Sequence, residues 1–173
     1  MMPHTQTAPL TDQLLHLLRH EENLLLQARC ALAEIHRALR ASDLPAVFRA
    51  QHQHQILQQE LAESAHTREE AAFALATFLN VPAKGISISL LTTKLTPALS
   101  APLISIRDRL QTLTGEILEL QRRNANLLDS LRSYFRSVLS GLTDEGDSTG
   151  TGRYGPSGVR LGSTAGSGLL ARG

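Results

Sequence analysis

Apolar residues recur along the first part of the chain at steps of three and four: Leu14, Leu18, Leu25, Ala28, Leu32, Ile35 and Leu39, with Glu21 the one polar residue in the series. A helix turns once per ~3.6 residues, so this spacing lines one face. It predicts a helix from about Asp12 to about Arg40. Thr11 or Asp12 can cap its start, because a short oxygen-bearing side chain accepts from a free backbone N–H.

A break follows at Ala41-Ser42-Asp43-Leu44-Pro45. Ser42 or Asp43 can cap a second helix, with Pro45 tolerated in its first turn. Its stripe is Val47, Ala50, Leu57, Leu61, Ala71, Leu75 and Phe78, interrupted by His54, Ser64 and Arg68. The break is short, so the two helices fold back antiparallel. Pro82 disfavours helical geometry at Val81 and ends the second helix near Leu79.

The stretch from Ala83 to Pro102 contains Gly85, Pro97 and Pro102. It reads as a connector with room for one short helix over about Ser87 to Leu95. Its Ile-Ser-Ile-Ser alternation fits a strand, but a lone strand has no partner elsewhere in the chain.

From about Ala98 to about Leu142 the alternation of three and four hardly breaks. Leu99, Leu103, Ile106, Leu110, Leu113, Ile117, Leu120, Asn124, Leu127, Leu131, Tyr134 and Val138 form the seam of a coiled-coil-like helix. Asn124 is the polar residue on that seam, where it can set register or meet a partner. Gly115 lies off the seam and weakens the helix only locally.

After Gly141 the chain turns Gly- and Ser-rich. Ordering ~30 residues there would cost ~1–2 kcal/mol each. Tyr154, Val159, Leu161, Leu169 and Leu170 return only ~1.5–3 kcal/mol apiece if fully buried. The expectation is a disordered tail. Residues 1–10 are then a flexible N-terminus, 11–142 a helical domain and 143–173 the tail. The fold class is all-α, an antiparallel helical hairpin plus a long third helix in a three-helix bundle.

Helix lengths add a site. The third helix has about 44 residues against about 28 in the first, a difference of roughly 20 Å at ~1.5 Å per residue. Its part beyond about Asn124 would overhang, leaving Leu127, Leu131, Phe135 and Val138 without full cover. An exposed apolar ridge of this kind marks a partner surface. The competing possibilities are that the second helix curls over this end, or that self-association buries it.

Composition removes other classes. The net charge is +1 and aromatic content is 3%, so no basic stripe interleaved with rings marks a nucleic-acid binder. The N-terminal MMPHTQTAPL lacks the marks of a signal peptide, and no run approaches the ~20 apolar residues of a membrane span. The single Cys30 fits a reducing compartment. The expectation is a soluble intracellular protein with no stable membrane insertion.

His16 and His20 share a helix face at zinc-binding spacing, but no third ligand and no HExxH motif accompany them. His52 and His54 diverge around the helix. Cys30 and His36 face apart, and Glu21-Glu22 and Glu69-Glu70 point apart as neighbours. No nucleophile elbow or phosphate loop is present. No catalytic residue, metal or cofactor is expected.

The long helix ends in QRRNANLLDSLRSYFRSVLSGL, and the tail holds RYGPSG. Asn-x-x-Leu-Leu at Asn124, Leu127 and Leu128, followed by Tyr-Gly-x-x-Gly at Tyr154, Gly155 and Gly158, resembles the FlgN family of flagellar export chaperones. The Ala-x-Asp-Leu turn at Ala41, Asp43 and Leu44 agrees in pattern. The resemblance implies a cytoplasmic chaperone of hook–filament junction proteins that delivers them to the cytoplasmic domain of the flagellar export gate. It places Asn124, Leu127, Leu128 and Leu131 in the client region, beside Phe135 and Val138 of the apolar ridge. Tyr154, with Gly155 and Gly158, becomes the gate-docking element. Residues after Gly158 receive no role. The rival class is a structural coiled-coil scaffold, separable by its higher oligomeric state.

Overall fold

The structure, a computed structural model, describes residues 4–82 and 86–148. Among these it contains four helices: α1 (His4–Arg40), α2 (Leu44–Phe78), α3 (Ile88–Thr92) and α4 (Pro97–Ser148). The chain divides into two units, Met1–Asp129 and Ser130–Gly173, with the boundary inside α4.

In the first unit α1 and α2 form the expected antiparallel hairpin. The turn between them is fixed by backbone chemistry. Ser42 takes a left-handed φ of 56°, and the Asp43 N–H reaches back to the Ala38 carbonyl at 3.0 Å. This closes the open carbonyls at the end of α1. Asp43 then caps α2, accepting from the Ala46 N–H at 3.0 Å. The same device ends α2, where Asn80 has φ 53° and the Val81 N–H bonds the Ala76 carbonyl at 2.9 Å.

Three pairs show that α4 runs parallel to α1. Arg109 bonds Glu22, Arg29 bonds Glu116 at 2.6 Å, and His36 meets Asn124 at 3.0 Å. Both members of each pair advance together along the chain. The order is up, down, up.

The core follows the predicted stripes with local shifts. Leu14, Leu18, Leu75, Leu91, Leu103 and Ile106 are completely buried. They form one cluster with Leu15, Ala71, Ala76, Val81 and Leu95. The connector contributes to it: Ser87 caps α3 by accepting from the Leu90 N–H at 3.2 Å, which turns Leu91 into the cluster. In the Leu24-Leu25-Leu26 run, Leu24 is buried and Leu25 only half so, contrary to the predicted stripe.

Two boundaries differ from expectation. Helix α1 begins at His4, so residues 4–10 are not a flexible leader. Thr7 and Thr11 are buried and extend the stripe of Leu14 and Leu18 backwards at the same spacing. Thr11 is thus a seam residue, not a cap, and its hydroxyl is satisfied by donating to the Thr7 carbonyl at 2.8 Å. Helix α4 continues to Ser148, beyond the predicted end near Leu142. No proline intervenes there, and Gly141 weakens a helix without ending it. The part of the expected tail from 149 onward lies outside the described residues.

The polar interruptions of α2 pack less completely. Arg68 Nε lies 3.0 Å from Glu21 Oε2 across the hairpin, yet neither buried atom has a well-aligned hydrogen bond. Burial raises the Glu21 carboxyl above its ordinary range, and Arg68 only partly opposes that. Ser64 Oγ and His54 Nδ1 are buried without partners.

Burial also lowers the His54 pKa below the ordinary 6.5. A depressed histidine stays neutral in the fold while the unfolded chain takes up a proton. Its contribution is present above the ordinary value and lost as pH falls below about 6.5. His54→Gln should therefore flatten the loss of stability on that acid side, measured as thermal midpoints across the window. An unchanged slope would show that His54 protonates freely in the folded protein.

Candidate functional site

The sequence-derived client residues separate into two environments. In the first unit Asn124 is 5% exposed, Leu127 is half-buried and Leu128 is 37% exposed. Asn124 is engaged inside the bundle. Its Nδ2 donates to the Leu32 carbonyl at 2.9 Å. Its Oδ1 then accepts from the Nδ1–H of His36 at 3.0 Å. Both ends of the amide are satisfied, as a buried polar side chain requires. His36 was weighed in the sequence only as a partner for Cys30, because its actual role depends on a residue 88 positions away.

In the second unit α4 continues with a different character. Leu131 is half-buried, but Phe135 is 60% exposed and Val138 41%. Tyr134, Leu139 and Leu142 are exposed to a similar degree. Tyr134 and Phe135 meet edge to face, with ring centroids 5.8 Å apart. A shallow groove of about 540 Å³ runs over Phe135 and Leu139, bordered by Arg132, Arg136 and Ser140. Scattered exposed leucines are ordinary on a protein surface, whereas several large apolar side chains within three turns of one helix are not. Leu139 falls off the seam that runs from Leu99 to Val138, and Leu142 lies at the predicted end of the helix, so neither stands out in the sequence.

Tyr154, Gly155 and Gly158 lie outside the described residues. Among the described residues no three His, Cys, Asp or Glu side chains come together in a way that would hold a metal ion. His16, His20 and His52 are exposed, as is Cys30. No helix of the described residues is long and apolar enough to cross a membrane.

A family model described as FlgN protein matches residues 1–161. The chain belongs to the FlgN family. No curated protein and no solved structure matches it. FlgN proteins are flagellar export chaperones, a family of binding proteins and not of enzymes. The FlgN match takes in the hairpin, α3, all of α4 and the Tyr154-Gly155-x-x-Gly158 segment. Family membership points to flagellar proteins as partners. For a FlgN protein the features that need explaining are the large apolar side chains left exposed: Leu44, Phe48, Phe73 and Leu118 singly in the first unit, and the run from Tyr134 to Leu142 of α4 in the second.

Proposed function

We propose that this chain holds hook–filament junction proteins in the cytoplasm before secretion and presents them to the flagellar export gate. The carrying observation is the apolar face formed by the exposed Tyr134, Phe135, Val138, Leu139 and Leu142 with the half-buried Leu131 among them. A helix with such a face binds an amphipathic partner by removing apolar area from water, worth ~25 cal/mol per Å² before the costs of association. Family membership supports the choice of a flagellar client. Leu127 and Leu128 join the proposed client region, and Asn124 contributes by fastening α4 to α1 within the first unit.

Gate docking falls to Tyr154. An aromatic with a polar tip supplies contact area at little rotamer cost, and Gly155 and Gly158 let the chain turn around the ring.

Two substitutions separate these roles. Leu131→Asp places a charge in the apolar face and should weaken capture of a junction protein by about tenfold or more in a calorimetric titration. Unchanged affinity with helicity retained would remove the proposed surface. Tyr154→Ala should leave that affinity intact and lower secretion of junction proteins by living cells. Equal secretion by the mutant would count against the docking role.

A further inference from the structure

We propose that the apolar face of α4 in the second unit seats in a cleft between two client helices, one of them carrying acidic residues along its edge. The inference rests on the chaperone function above and adds the form of the client.

Successive residues of a helix are ~100° apart, so the width of the face follows from the sequence once the segment is known to be helical. Tyr134, Val138, Leu131, Leu142, Phe135 and Leu139 fall in that order across an arc of about 140°. The face consists of two ridges side by side. Leu131, Tyr134 and Val138 step by three and four, and Phe135, Leu139 and Leu142 by four and three. A seam for one partner helix uses a single such ridge. An arc wider than about 100° is what a helix turns toward a surface built by more than one neighbour. One client helix would cover one ridge and leave the other in water.

The two borders of the face differ in chemistry, which gives the client helices different characters. Beyond Leu139 lie Arg132 and Arg136; Asp129 stands three residues before Arg132, whereas no acid lies within four residues of Arg136 in either direction. Carboxylates on a helix approaching from this side would meet the Arg136 guanidinium. Beyond Tyr134 lie Ser137 and Gly141, and a Cβ at Gly141 would find nothing within 4 Å. Small residues let the second helix come close. The occupant is thus a pair of amphipathic client helices, acidic on one outer edge and close-packed on the other.

The test uses the full-length chain with two probes, an intact junction protein and a synthetic peptide of one of its amphipathic helices. Tyr134→Ser and Leu139→Ser each remove one edge of the face at an exposed position. With the intact protein each should weaken binding by about tenfold. With the peptide only one of them should. Comparable affinity for both probes, lost equally at both edges of the face, would mean that one helix fills it and would overturn the cleft. Loss at a single edge with the intact protein would do the same and leave the chaperone function standing. Binding of neither probe by the unmodified chain would remove the chaperone function itself. A stable dimer in light scattering that either variant dissolves, without junction-protein binding, would give the face to a second copy and overturn the proposal. Arg136→Glu should lower affinity for the intact protein and weaken its salt dependence, and unchanged binding would overturn the acidic edge.

Discussion

Leu75→Ala will lower the stability of the protein by about 2–5 kcal/mol, the usual cost of emptying a fully buried leucine site. Leu75 is 0% exposed and sits in the cluster that joins α1, α2, the connector and α4. The cluster also draws on Leu14, Leu18, Leu91, Leu103 and Ile106 from other stretches of chain, so no single element can collapse into a void there. Total stabilities are only about 5–15 kcal/mol, so the loss is a large fraction. The measurement is the urea midpoint followed by helical circular dichroism. The control is Leu139→Ala, which removes the same atoms from a position 62% exposed. It should shift the midpoint by no more than about 0.5 kcal/mol in equivalent stability. A similar loss in both variants would show that the second unit is packed by its own chain, and the client surface would have to be abandoned.

Asn124→Ala is expected to cost about 1–3 kcal/mol, the penalty of leaving buried polar partners unmet. The Leu32 carbonyl loses the amide donor and His36 loses its acceptor. His36→Ala alone should cost less, because the amide keeps its bond to Leu32. A double-mutant cycle should give a coupling of at least about 0.5 kcal/mol for two side chains in direct contact. Additive effects would show that the two meet without supporting each other.

Most of the architecture was legible because helical periodicity survives without knowledge of the partners. The seams of α2 and α4 were read residue by residue, including the interruptions at His54, Ser64 and Arg68. The start of α1 was hidden by chemistry. Thr7 and Thr11 look polar in a sequence, yet a threonine whose hydroxyl folds back on its own helix presents a methyl to the core. The Leu24-Leu25-Leu26 run gave no means of choosing the inward residue, since that depends on the angle at which α2 and α4 approach. The candidate site was only partly legible. Leu131, Tyr134 and Val138 lie on the seam and Phe135 beside it, but the breadth of the face needed Leu139, which looks like a solvated outlier when one stripe is followed, and Leu142 at the predicted end of the helix. The role of His36 could not have been found without the fold.

The three links between α1 and α4 alternate in kind down their length, with acid to base at Glu22 and Arg109, base to acid at Arg29 and Glu116, and amide to imidazole at His36 and Asn124. Slide one rod by seven residues and Glu22 faces Glu116, or Arg29 faces Arg109. Each matched surface pair is worth little by itself. Each mismatch costs a comparable amount with the opposite sign, and the buried amide would lose its mates as well. The rods are therefore keyed to one setting, and a force applied to either should bend or unfold the shaft before it slips a notch.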